Sequence, residues 1–146
     1  MYTKHVAVVI LGAVLLVLPP VLMLRYTVHN TKVIFFEAVT QCIKKGGDLT
    51  SIESAYQQNQ IWNAIKKAGS TADSWWTSGT DLGLEGSWLW LSQNRRFGKY
   101  INFMEGEPNN DKSLDNCLAM IGGNKLGQWS DVDCNSTRYY VCQYSY

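Results

Sequence analysis

The sequence predicts an α+β domain, stapled by disulfides and carried behind an apolar leader. Three observations predict it. Two stretches with helical spacing come first, a series of short apolar runs without that spacing follows, and all four cysteines lie beyond residue 24. The chain has 146 residues, enough for one domain with a hydrophobic core and a short leader.

The leader is residues 1–24. Lys4 and His5 precede an apolar run from Val6 to Leu18, which Pro19-Pro20 ends before Val21 to Leu24. A positive start, an apolar stretch and helix breakers are the layout of a secretory signal. An uncleaved anchor is the rival reading, because Val6 to Leu24 approaches the length of a membrane span and shows no small-x-small cleavage site. Against the anchor, Arg25-Tyr26-Thr27-Val28 already reads as a first strand and leaves no stalk. Both readings put residues 25–146 on the extracytoplasmic side as one domain.

Phe35, Ala38, Val39, Cys42 and Ile43 recur at helical spacing, and Gly46-Gly47 ends that helix. A second helix starts at Ser54, whose hydroxyl caps it while Gln57 reaches back. Ile61, Ala64 and Ile65 form its apolar face, and Gly69 stops it. From Trp75 the pattern changes to strand-like runs: Trp75 to Thr77, Trp88 to Leu91, Tyr100 to Phe103, Cys117 to Ile121 and Arg138 to Cys142. Met104 to Asn116 stands out as a long polar stretch with neither period, and such loops usually carry function.

Composition removes several function classes. Thirteen basic and 12 acidic residues give a net charge of +1 with no basic run, so nothing points to nucleic acid. One histidine outside the leader, His29, with no nucleophile elbow and no metalloprotease helix, leaves no catalytic constellation. The same scarcity, with no C-x-x-C pair, argues against zinc. Four cysteines behind an export signal read as two disulfides, for which three pairings exist. The sequon Asn135-Ser136-Thr137 marks Asn135 as a glycosylation acceptor in an exported chain.

The polar loop runs Glu105-Gly106-Glu107-Pro108-Asn109-Asn110-Asp111-Lys112-Ser113-Leu114-Asp115-Asn116-Cys117. It concentrates carboxylate and amide oxygens, the donors that a calcium ion takes six to eight at a time. Its spacing is not that of an EF-hand. A solvated acidic loop is the plain alternative.

Over nearly all of Arg25 to Tyr146 the chain resembles the C-type lectin-like family. The resemblance is carried by Phe35-Phe36-Glu37-Ala38 before Cys42, Gly47-Asp48-Leu49-Thr50-Ser51-Ile52 after it, and Trp76 to Asp81. It continues through Glu85-Gly86-Ser87-Trp88-Leu89-Trp90, Glu107-Pro108-Asn109, Trp129-Ser130-Asp131 and the last two cysteines. The resemblance implies the C-type lectin-like fold and the pairings Cys42–Cys142 and Cys117–Cys134, worth about 3 to 5 kcal/mol each by loop closure.

It also implies a principal calcium and sugar site at Glu107, Asn109, Asp115, Ser130 and Asp131, with a cis bond before Pro108. Asp115 stands where the family usually has Glu, and Ser130 where it prefers Asn. A serine offers one hydroxyl where Asn offers a carbonyl to the ion and an amide to the sugar. An auxiliary calcium site is implied at Asp81, Glu85, Asn110, Asp115 and Asn116, the last commonly Asp. In the family Glu-Pro-Asn accompanies mannose, fucose, glucose and N-acetylglucosamine, and Gln-Pro-Asp accompanies galactose. Expected partners are therefore glycans or glycoproteins with mannose-type sugars, and a membrane only if the leader stays as an anchor. Val132 is either a sugar-packing or a strand residue. Trp75, Trp76, Trp88, Trp90 and Trp129 match the family's core positions more than a stacking platform. The competing expectation, raised by Ser130, is a sugar-independent protein-binding module on the same fold.

Overall fold

The computed structural model describes residues 8–11, 14–17 and 23–146. Of the apolar leader it describes two strands, β1 (Val8–Leu11) and β2 (Val14–Val17), paired antiparallel and apart from the main sheet. Apart from Met23 and Leu24, the rest of the signal or anchor segment lies outside the described residues. No helix among them is long and apolar enough to cross a membrane.

The domain then runs β3 (Leu24–Val33), α1 (Phe35–Lys44), β4 (Asp48–Leu49), α2 (Ala55–Ala68), β5 (Ser74–Thr80), β6 (Leu89–Trp90), β7 (Arg95–Arg96), β8 (Asp115–Ile121), β9 (Gln128–Asp133) and β10 (Arg138–Ser145). The last strand pairs antiparallel with β3 and β4 and parallel with β5. Strand β8 pairs with β5 and with β9, so one sheet joins the chain ends to the hairpin that follows the polar loop.

Both faces of this sheet are covered. Successive strand residues point to opposite faces, and the adjacent pairs divide accordingly. Trp76, Ala119, Tyr140 and Cys142 pack with Phe35, Ala38 and Leu49 around α1. Trp75, Leu118, Met120 and Val141 pack with Ile52, Ile61 and Ile65 around α2. Burial on both faces is why these strands read as continuous apolar runs instead of alternating ones. Trp75, Trp76, Trp90 and Trp129 are fully buried, which makes them core. Val132 lies in β9, packed against the α1-side cluster, so its strand role holds.

Both helices lie where their spacing placed them. Ser54 caps α2 by accepting from the Gln57 N–H (3.2 Å), and Gly69 ends it at φ 79°. The Gln57 side chain reaches one residue further back than a capping box requires, to the Glu53 N–H (2.7 Å). Two expected strands differ in the structure, and β9 is additional. Tyr100 to Phe103 forms no strand and touches the sheet through one bridge, Phe103 to Trp129. Trp88 to Leu91 shortens to Leu89–Trp90 followed by a 3₁₀ turn. Strand β9 escaped notice because Ser130, Asp131 and Asp133 interrupt its apolar character.

Two disulfides, Cys42–Cys142 and Cys117–Cys134, take up all four cysteines. The first ties α1 to β10, and the second ties the start of β8 to the turn after β9.

Candidate functional site

The site is assembled by the β8–β9 hairpin and the loop before it. Asp115 opens β8 and lies opposite Asp133, while Ser130 and Asp131 face Ala119 and Leu118 across the ladder. The Glu107–Pro108 peptide is cis. From the loop, Glu107 and Asn109 meet Ser130 and Asp131. The Asn109 Nδ2 donates to Glu107 Oε1 (2.7 Å), and the Ser130 hydroxyl lies 2.8 Å from Glu107 Oε2 and 3.0 Å from the Asp131 carbonyl oxygen.

Asp131 organises the loop. It is 2% exposed, and its Oδ1 and Oδ2 accept the backbone N–H groups of Asn109 (3.1 Å) and Asn110 (2.6 Å). These backbone donors have no signature in the sequence, because only the strand register brings residue 131 to residues 109 and 110. Asn110 itself sits at φ 49°, a left-handed turn that Asn tolerates better than most residues.

The electrostatics record a crowd of acids. Burial pushes the Glu107 carboxyl up to about 7, the Asp131 carboxyl beside it and Asp115 add to that, and the Ser130 hydroxyl partly offsets it. Asp115 is raised by burial first, then by Asp131 and Asp111. Asp81, buried at the end of β5, is raised by desolvation and further by Asp131, although Gly86 N–H donates to its Oδ2 (2.9 Å). Exposed Glu85 is raised by desolvation, then by Asp81 and Asp131. Each of these shifts opposes ionisation, and a bound cation would reverse that.

The auxiliary residues also come together. The terminal amide of Asn116 lies 3.2 Å from both Asp81 Oδ1 and Glu85 Oε2, and with its nitrogen turned to them it donates to both. The Asn116 backbone oxygen accepts from Thr80 Oγ1 (2.6 Å). The side-chain oxygen of Asn110 is buried without a hydrogen-bond partner. An all-oxygen donor set with an orphaned buried acceptor fits a hard cation such as calcium. Among the described residues no three Asp, Glu, His or Cys side chains are placed to hold an ion alone. Amide and hydroxyl oxygens would have to complete the shell.

Asn135 is exposed in the turn after Cys134, where its N–H donates to Asp133 Oδ1 (2.9 Å). The sequon is therefore on the surface.

Residues 31–144 match the family model of the lectin C-type domain, and the chain belongs to that family. It is 28% identical over 125 residues to C-type lectin mosGCTL-7 of Aedes aegypti, covering 82% of each chain. It is 29% identical over 117 residues to the galactose-specific lectin nattectin of Thalassophryne nattereri, covering 80% of this chain and 71% of that one. Its structure is similar to the mouse scavenger receptor C-type lectin carbohydrate-recognition domain, with TM-score 0.72 and 28% identity over 87% of this chain and 97% of the other. All three are lectins or lectin carbohydrate-recognition domains.

Proposed function

We propose that this domain binds carbohydrate in a calcium-dependent manner, through Glu107, Asn109, Asp115, Ser130 and Asp131. The supporting observation is the meeting of Glu107 and Asn109 with Ser130 and Asp131, in a place where burial and the neighbouring Asp131 carboxylate raise the pKa of Glu107 and Asp115. A calcium ion, when bound, supplies coordination positions that two neighbouring sugar hydroxyls can fill. The residues do the selecting. The 2.7 Å bond from Asn109 to Glu107 pairs one donor with one acceptor. A sugar exchanges that internal bond for two, with one hydroxyl donating to Glu107 and another accepting from Asn109.

The order Glu107 then Asn109 supports mannose, fucose or N-acetylglucosamine. Specificity does not follow from kinship, since one relative, 29% identical, is galactose-specific. Residues 1–24 act in this proposal as a cleaved secretory leader or an anchor, and the two disulfides support export. A second calcium at Asp81, Glu85, Asn110, Asp115 and Asn116 belongs to the same proposal.

One observation favours the other reading, a sugar-independent protein-binding module. Ser130 commits its hydroxyl to Glu107 Oε2 or the Asp131 carbonyl oxygen and has no amide to offer a sugar. Calorimetric titration of calcium, then glycan-array binding with and without chelator, separates the two. The lectin reading expects chelator-sensitive binding to mannose-type glycans, lost with calcium affinity in Asp131→Ala. Calcium binding without any glycan signal gives the protein-binding reading the site.

A further inference from the structure

We propose that a cavity away from the calcium loop, between α2, residues 100–102 and the β8–β9 turn, is a metal-independent binding site for a neutral saccharide. It encloses about 300 Å³ and shares no residue with the calcium loop, a volume at the lower end for small-molecule sites. Its lining combines two aromatic rings, Trp62 and Tyr100, with the amides of Asn59, Asn102, Asn124 and Gln128.

Among the described residues, none of those four side-chain amides has a protein hydrogen-bond partner. Each amide offers donors and an acceptor together, which is what a hydroxyl needs. The aromatic rings offer apolar faces to the C–H surface of a sugar. Other ligand classes fit worse. The lining holds no carboxylate for a cation, and exposed Lys125 alone for an anion. Its apolar part is limited to the two rings and Leu126, too little for a lipid chain.

The cavity is built in advance of any ligand. Trp62 packs edge-on against buried Trp75 (6.1 Å, 80°), and Tyr100 edge-on against buried Trp129 (5.7 Å, 79°). Gln58, 6% exposed, donates to the Gly127 carbonyl oxygen (2.9 Å) and accepts from Trp129 Nε1 (2.9 Å), so it locks α2 to the hairpin beneath the cavity. Gly127 sits at φ 84°, and a Cβ there would lie 2.9 Å from the Trp62 ring and 3.2 Å from Gln58 Nε2. Its absence lets the turn close against the tryptophan. Next to it, Leu126 holds the left-handed region at φ 52° with its side chain 67% exposed at the rim. A leucine in that conformation is disfavoured, and such strain collects at binding sites.

The test is a two-dimensional amide NMR titration of the domain in excess EDTA, with N,N′-diacetylchitobiose and maltotriose as probes. The expected result is a saturable shift confined to residues near 59–62, 100–102 and 124–128, present without calcium. Asn59 and Asn124 are exposed, so Asn59→Ala with Asn124→Ala keeps the fold. Losing their hydrogen bonds should weaken the chitobiose or maltotriose affinity about tenfold. No shift at these residues with either probe overturns the proposal, as does unchanged affinity in the double variant. Shifts confined to residues 105–116 and 130–132 would assign the binding to the loop instead. Shifts here with no calcium-dependent binding elsewhere uphold this site while the lectin reading of the loop fails.

Discussion

Ser130 and Glu107 carry the residue-scale consequences, because they share one hydrogen bond (2.8 Å) and pull in opposite directions. An asparagine at 130 would supply the amide that the serine lacks. Ser130→Asn should therefore tighten binding of methyl mannoside about tenfold, as one regained hydrogen bond to a charged cluster is worth 1 to 2 kcal/mol or roughly that factor. Calcium should tighten less, since water can replace a missing neutral ligand. Side-by-side calorimetry of the wild type and Ser130→Asn decides it, and a domain still blind to mannoside would assign the loop a structural role at most. Glu107 sets the pH dependence. Its folded carboxyl titrates near 7 against an ordinary 4.5, with burial the first cause and Asp131 the next. A raised carboxylate pKa means the folded metal-free domain binds that proton more tightly than the unfolded chain does. This group's contribution to stability is therefore full below about 4.5 and is lost as pH rises to about 7. Calcium competes with the same proton, so calcium affinity should climb between about 4.5 and 7 and level off above. A titration series showing pH-independent affinity across that range would remove Glu107 from the ligand set.

At the scale of elements, the helices were legible and the site strand was not. Helices α1 and α2 announce themselves by spacing and by Ser54 and Gly69 at their ends. Strand β9 does not, because its two central positions carry Ser130 and Asp131, placed for the site instead of the core. Tyr100 to Phe103 failed in the opposite sense. Its aromatic run packs on Trp129 without making a ladder. The principal site residues were legible only through the order of several motifs, since the loop alone reads as solvated acids. Trp62 escaped because the apolar stripe of α2 is complete without it, and the cavity it lines with Asn59 closes only once the β8–β9 turn arrives. The loop itself makes a further test. Its hold on the domain is polar, through Asp131 to the Asn109 and Asn110 N–H groups, while Asn109, Asp111, Ser113 and Leu114 are exposed. Such a segment opens more readily than the core when a bound ion is withdrawn. Lys112 is the only Lys or Arg between Lys99 and Lys125, so tryptic cleavage after it reports the loop directly. Chelation should accelerate that cut while β8 and β9 stay intact, and equal rates with and without calcium would argue that no ion sits there.

At the scale of the molecule, the two disulfides divide the work between stability and site. Cys42–Cys142 closes 100 residues of sequence and Cys117–Cys134 closes 17. Loop closure then assigns about 4 to 5 kcal/mol to the first and about 3 to the second. Against a total of about 5 to 15 kcal/mol for a domain, either loss is large. Their consequences for the site should differ. The long closure fixes α1 against β10, far in sequence from the calcium loop, and both its cysteines are fully buried beside Phe35 and Trp76. The short closure lies two residues after Asp115 and three after Asp131, across the ladder where Asp115 faces Asp133. Replacing Cys42 and Cys142 with Ala should lower the unfolding midpoint most, yet leave calcium affinity close to wild type in whatever fraction stays folded. Replacing Cys117 and Cys134 with Ala should cost less stability and more calcium affinity, because the strand ends that carry the two aspartates are no longer held in register. Thermal unfolding and calcium calorimetry on both double variants test this. If the two variants lose stability and calcium affinity in the same proportion, the short disulfide serves the fold alone, and the site's geometry rests on Asp131 and its backbone partners.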